Sequence, residues 1–195
     1  MKLTAAKKRV LRKQLLQLAR ELYLHPQSDA AIKASLKRNC PGLTLEQVRE
    51  TMRYLAEKNL VSVLKDKSRL SASITPKGID VIEGAVPVRG IQTSSGRFAR
   101  LGYKKELRRG ILAYCYSFHE FFNEDTEILQ EFRQSGFSNL LMEELRFHMW
   151  YLGQKSLLEL KTPEVEGDAL FLARIAAKGM DVQDNNDSDP GVSHD

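Results

Sequence analysis

Along residues 7–24 apolar positions recur at Leu11, Leu15, Leu18 and Leu22, the rhythm of one helix face, with lysines and arginines between them. Pro26 stops that pattern. Asp29 is placed to cap a short second helix carrying Ile32 and Leu36, which ends before Cys40-Pro41-Gly42. Thr44 and Gln47 have capping-box spacing for a third helix, whose inner face is Val48, Met52 and Leu55. The rhythm then changes to period two. Leu60–Leu64 reads as a strand, Lys65–Ser68 as a turn and Arg69–Ile74 as the returning strand. Thr75-Pro76 supplies a cap and a first-turn proline for a last helix reaching about Glu83.

The same pattern is written a second time. Leu45-Glu-Gln-Val-Arg-Glu-Thr-Met-Arg-Tyr-Leu reappears 97 residues later as Met142-Glu-Glu-Leu-Arg-Phe-His-Met-Trp-Tyr-Leu, matching Glu46/Glu143, Arg49/Arg146, Met52/Met149 and Tyr54/Tyr151. At a spacing of 96, Leu11/Leu107, Asp29/Asp125 and Ile32/Ile128 correspond; at 101, Ile74/Ile175, Gly78/Gly179 and Asp80/Asp181 do. A period near 100 residues is too long for a solenoid and fits one small domain duplicated. The expected division is a basic domain over 1–84, a flexible basic linker over 85–102, an acidic domain over 103–182 and a disordered acidic tail over 183–195.

Charge separates the copies. Residues 1–109 carry 24 Lys+Arg against 9 Asp+Glu, and residues 110–195 carry 6 against 16. Two copies of one fold with opposite charge should attract different partners, or each other.

Helix, helix, helix, hairpin and terminal helix is the winged helix-turn-helix order, so the expected class is α+β, mostly helical, with two tandem winged-helix domains. Tyr54-Leu55, Asn59-Leu60-Val61 and Ile74-Thr75-Pro76-Lys77-Gly78 resemble the bacterial MarR, ArsR and PadR-like regulators. In those families a third helix leads through such a step into the wing, and a threonine-proline-lysine-glycine run opens the next helix. The layout including Asp80-Val-Ile-Glu-Gly84 also resembles, more faintly, small regulatory proteins of Mu-like phages. The second copy keeps the shape but replaces the threonine-proline step with Ala176-Ala177.

A winged helix places its third helix in the major groove and its wing on backbone or minor groove, with affinity from cations at phosphates. The candidate DNA contacts are Lys7, Lys8 and Arg12 on the first helix, Gln47, Arg49 and Arg53 on the third, Lys65, Lys67 and Arg69 on the wing, and Arg97 and Arg100 on the linker. Gln47 and Arg49 are the candidates for base edges, glutamine for adenine and arginine for guanine. A 100° step from the inner face puts Glu46, Glu50, Arg53 and Glu57 outward, a charge balance that disfavours tight operator reading.

In the second copy, Phe147, His148, Trp150, Glu164 and Glu166 are the candidates for protein contact, in a homodimer or with another partner. Aromatic residues at that helical spacing are usually core, and those beyond what one small core needs are the ones left for an interface. His148 by itself reads as partly exposed. The phosphate-loop, H-E-x-x-H and C-x-x-C signatures are missing, so neither an enzyme nor a metal or other cofactor is expected. Cys40 and Cys115 fall at non-equivalent positions of the two copies, which argues against a structural disulfide. Met1–Arg9 lacks the apolar core of a signal peptide, and no run approaches the roughly 18 apolar residues of a membrane span. The expectation is a cytoplasmic regulator binding double-stranded DNA through its first copy; the alternative is a non-catalytic adaptor or inhibitor that docks proteins.

Overall fold

A threonine sets the start of the first helix in the computed structural model, which describes residues 3–91, 98–165 and 168–193, the side chains of 98–100, 164–165 and 168–169 excepted. Thr4 is extended and its hydroxyl accepts the Lys7 amide at 3.4 Å, opening α1 (Ala5–Glu21). The helix ends three residues before the sequence pattern does. Leu22 leaves helical geometry, and its carbonyl then accepts the His25 amide at 3.0 Å. That turn brings Gln27–Ser28 (β1) alongside a later strand, a pairing too short to announce itself in the sequence. Ser28, not Asp29, is the cap of α2 (Asp29–Leu36): its Oγ accepts the Ala31 amide at 3.2 Å.

Thr44 and Gln47 close the capping box of α3 (Leu45–Glu57), each side chain accepting the other's backbone amide. The strands run further than their apolar residues do. β2 (Val61–Asp66) and β3 (Arg69–Ile74) pair antiparallel up to Asp66↔Arg69, which leaves only Lys67 and Ser68 in the turn. Lys67 adopts a φ of 49° there, as a two-residue hairpin turn demands. β1 joins on the other side, giving a sheet in the order β1-β3-β2. Thr75 caps α4 (Pro76–Glu83), and Gly84 terminates it at a φ of 91°.

The second unit repeats this order. α5 (Phe98–Ser117), β4 (Asn123–Glu124), α6 (Asp125–Gln134) and α7 (Met142–Gln154) are followed by β5 (Leu158–Lys161), a short ribbon of β6 (Glu164–Val165) and β7 (Asp168–Ala169), β8 (Leu172–Ile175) and α8 (Ala177–Gln183). Its three-stranded sheet, β4-β8-β5, has the same order. Among the described residues the class is α+β, with eight helices and two small three-stranded antiparallel sheets. Contacts between residues divide the chain into two units, Met1–Phe98 and Ala99–Asp195.

Each unit has its own core, filled from matched positions. Leu11, Leu15, Leu16, Ile32, Met52 and Leu55 are almost fully buried in the first, as are Leu107, Ile111, Leu112, Ile128, Met149 and Leu152 in the second. Burial of this kind supplies about 25 cal/mol per Å² of apolar surface and is the main force closing each unit. Gly78 and Gly179 mark a second shared constraint. Each sits on the helix after the hairpin, so close to the chain leaving the third helix that an added Cβ would collide with the carbonyl oxygen of Leu60 or Leu157.

The residues after α4 and α8 correct the expected linker and tail. In the first unit the Ala85 and Val86 amides donate to the Asp80 carbonyl at 2.8 and 3.2 Å, and Ile91 is buried. In the second the Asn186 and Asp187 amides donate to the Asp181 carbonyl at 2.8 and 3.1 Å, and Asp189 and Val192 are buried. The segment 184–193 is thus anchored to the second unit through Asp189, Gly191 and Val192, and 85–91 belong to the first unit. An average over composition misses this, because one apolar side chain and a few satisfied polar groups are enough to pin each segment. Phe98–Gly102, placed in the linker by composition, already lie in α5.

Gly78→Ala and Gly179→Ala are each expected to lower stability by about 2 kcal/mol, since a methyl group is forced against backbone. Urea midpoints check this, with Gly102→Ala, which meets nothing within 4 Å, expected to leave stability unchanged or slightly raised.

Candidate functional site

The hairpin of the first unit carries its charge at the tip. Lys65, Lys67 and Arg69 are exposed, and none of their side chains has a hydrogen bond or ion pair among the described residues. Antiparallel pairing to the last residue before the turn keeps these cations within one short, rigid projection. Lys7 is exposed near the start of α1 and Lys8 is half-buried. Arg97 lies outside the described residues, as does the side chain of Arg100.

Three other candidate DNA contacts are occupied inside the unit. Gln47 is held in the capping box. Arg49 donates from Nε to Asp29 Oδ2 at 2.6 Å and from Nη2 to the Ser68 carbonyl at 2.7 Å, linking α3 to the head of α2 and to the hairpin turn. Arg12 lies 3.5 Å over the Tyr54 ring and donates to the Gly90 carbonyl at 3.2 Å, so it clasps the segment after α4. Base reading by Gln47 and Arg49, and phosphate contact by Arg12, would have to break these contacts, and their loss would unsettle the unit. The duplication held the clue. Asp29/Asp125, Arg49/Arg146 and Arg12/Arg108 are common to the basic and the acidic copy, so they serve what the copies share.

The second unit has the same contacts. Arg146 donates to Asp125 Oδ2 at 2.6 Å; Arg108 lies 3.7 Å over the Tyr151 ring and donates to the Gly191 carbonyl at 3.1 Å. In both units the outer face of α3 or α7 is left to other residues. On α3 these are Glu46, Glu50, Arg53 and Glu57, all exposed, with Arg53 paired to Glu46 at 3.2 Å. An exposed pair of this kind adds little stability.

For Asp29, burial works to raise the carboxyl pKa, but the Arg49 hydrogen bond, the Ala30 amide, the Arg49 charge and the Leu70 amide outweigh it. The carboxyl is held below its ordinary value.

The protein-contact candidates of the second unit also shift. Phe147 and His148 are buried, and Trp150 is half-buried against Phe147 with ring centroids 6.3 Å apart. His148 Nδ1 accepts a hydrogen bond from Arg108 Nε at 3.0 Å. Arg108 is itself fully buried, and its partners include this imidazole, the Tyr151 face and a carbonyl. Lys155 and Asp189 pair at 2.6 Å nearby, each side chain 9% exposed. His148 therefore belongs to an interior polar network, not to a surface. Glu166 lies outside the described residues, as does the side chain of Glu164.

The aromatic surface of this unit lies elsewhere, where α5 ends. Phe118 and Phe121 are 49% and 66% exposed, beside grooves of about 550 and 520 Å³ between α5 and α6. Gly110 makes the floor, since Phe132 packs where a side chain would stand. Tyr114 lines both grooves; partial burial, then the charges of Glu127 and Glu131, push its phenol pKa up. These aromatics stand outside the candidates that charge and motif pick out of the sequence. Aligning the copies marks them, for they replace Leu18, Leu22 and His25 of the first unit by Tyr114, Phe118 and Phe121.

Burial pushes the Cys115 thiol up to about 12, which leaves it protonated and unreactive at neutral pH. Cys40 is half-buried, with Sγ 3.2 Å from Gln14 Oε1. Among the described residues no group of three or more His, Cys, Asp or Glu is arranged to hold a metal, and no helix is long and apolar enough to cross a membrane.

No family model matches the chain, and no curated protein does. Among solved structures, a chain of the Nse1-Nse3-Nse4 complex aligns over 96% of this chain and 94% of its own at 13% identity with a TM-score of 0.32, a likeness that does not establish a shared fold.

Arg49→Ala leaves the Asp29 carboxylate buried and unpaired, and is expected to cost about 3 kcal/mol. Asp29→Asn should cost less, since Arg49 is 26% exposed and can turn to solvent. A carboxyl with a depressed folded pKa stabilises fully above its unfolded value, about 3.9, and ceases to do so as pH falls through the folded one. Urea midpoints measured down the acid range should therefore fall for wild type below about pH 4, with a shallower fall in Asp29→Asn.

Proposed function

We propose that the chain is a non-catalytic, tandem winged-helix factor, built by duplication, whose basic unit attaches to duplex DNA and whose acidic unit makes protein contacts. The observation that carries the DNA half is the hairpin: Lys65, Lys67 and Arg69 project from it without partners among the described residues, while the polar side chains at the start of α3 are committed internally. Residues 1–98 hold 19 Lys+Arg against 8 Asp+Glu, a field that favours phosphate whatever the sequence. Phosphate contact without base reading positions a protein but does not specify a site, so binding should be sequence-tolerant. The motif resemblance to MarR, ArsR and PadR-like regulators supports the same reading, that of a cytoplasmic DNA-associated factor.

The acidic half is matched to another task. Residues 99–195 carry 11 Lys+Arg against 17 Asp+Glu, which repels phosphate, and aromatic groups stand exposed on this unit. A second reading, an adaptor that docks proteins through both units and ignores DNA, is favoured by the three carboxylates on the outer face of α3. It differs in one measurable respect.

Salt titration of binding to a labelled random-sequence duplex by fluorescence anisotropy separates the two. The full chain is expected to bind with a steep dependence on salt. Replacing Lys65, Lys67 and Arg69 together by Ala should weaken binding and reduce the log–log slope by about 0.9 for each phosphate no longer neutralised. An unchanged slope would remove the hairpin from the interface; no binding at low salt would leave the adaptor reading.

A further inference from the structure

We infer that the α5–α6 groove of the acidic unit is a docking site for a cationic amphipathic helix of a partner protein. Its apolar face would lie on Tyr114, Phe118 and Phe121, and its lysines or arginines would meet Glu127 and Glu131. This deepens the assignment of the acidic unit as the protein-binding half and rests on it.

The two copies act as a control on each other. At the same turn positions the first unit has Leu18, Leu22, Ala31 and Ser35, where the second has Tyr114, Phe118, Glu127 and Glu131. Neither substitution serves the shared core: Glu127, Glu131 and Phe118 are exposed, while the core positions between them, Ile111, Ile128 and Phe132, keep their apolar character. Copy two has therefore acquired two things on one face, aromatic surface from α5 and carboxylates from α6.

Shape and charge then select the occupant. Along α5, Gly110, Ala113, Tyr114, Ser117 and Phe118 fall three and four residues apart and so share one face, small at one end and aromatic at the other. Along α6, Glu127, Gln130, Glu131 and Gln134 make the facing wall. Among the described residues no lysine or arginine lines either groove, the cations Lys161 and Arg174 standing on the Phe122 ring at one edge. An amphipathic helix lies in such a trough through anchors at helical spacing, and cations on its flanks fit the wall. Nucleic acid is repelled by the same carboxylates. The rings favour cations as well: Phe122, which lines the second groove, already has Lys161 Nζ 3.9 Å and the Arg174 guanidinium 4.7 Å from its centroid. Phe118 and Phe121 present the exposed rings.

The probe is a labelled 16-residue peptide of leucine and lysine with leucines at helical spacing and one photo-leucine, set against a scramble of identical composition, on the full-length protein. Binding is expected to be about tenfold tighter for the amphipathic peptide than for the scramble. Phe118→Ala with Phe121→Ala, and separately Glu127→Gln with Glu131→Gln, should each weaken it about tenfold. These residues are exposed, so thermal unfolding should stay as in wild type, and the salt slope for DNA should not change. Equal binding of peptide and scramble, or variants that bind as wild type, would overturn the groove. Photo-crosslinks separate two failures. Crosslinks elsewhere on residues 99–195 overturn the groove but keep the acidic unit as the binding half, whereas crosslinks confined to residues 1–98 overturn both.

Discussion

A buried carboxylate at the head of the second helix organises each unit. Asp29 and Asp125 are 1% and 0% exposed, and neither position would tolerate a charge without the arginine 2.6 Å away on the next helix. The pair fixes how the second and third helices cross, and it reaches the sheet as well: the Phe171 amide donates to Asp125 Oδ2 at 3.3 Å, and the Asp125 amide to the Phe171 carbonyl at 2.9 Å. Once that corner is set, the apolar faces of the three helices have one way to close over the hairpin. The glycine contact at Leu60 and Leu157 fixes the opposite end, where the last helix must approach the chain leaving the third.

Around this fixed interior the surfaces have diverged almost without restraint. One copy is basic and the other acidic, yet both retain the arginine stacked on tyrosine and the glycine carbonyl it holds. Where the second copy did alter its interior, it added a linked set. His148 stands where Thr51 does and Asp189 where Val88 does, while the lysine, Lys58 or Lys155, is common to both copies. Lys58 is exposed, whereas Lys155 lies over the Tyr151 ring with Asp189 folded back onto it. A buried cation of this kind persists only with its partners, so these changes make sense together and not singly.

The helices and the hairpin were legible because caps and apolar periodicity are local signals: Thr44 with Gln47, and Thr75 with Pro76, do in the structure what their spacing implies. The third strand of each sheet was not, since two residues pairing with β3 or β8 carry no pattern of their own. Composition misled twice. Gln183–Asp195 reads as solvated tail although one valine and a handful of backbone bonds hold residues 184–193 in place, and His148 reads as partly exposed although α7 turns it inward. The candidate site was legible as charge and not as contact. Counting cations finds the basic hairpin, but it cannot separate Lys65, which is unpartnered among the described residues, from Arg49, which is spoken for.

Arg49 also has a mechanical meaning. Its second hydrogen bond, to the Ser68 carbonyl, runs from the buried pair to the outermost turn of the hairpin. A two-stranded ribbon by itself bends and twists readily. Here the tip is braced from behind by a strut footed in the core, so a load applied at Lys67 is carried into the second and third helices instead of being absorbed by flexing of the strands. The hairpin behaves as a bracket, and whatever it grips is coupled to the stiffest part of the unit.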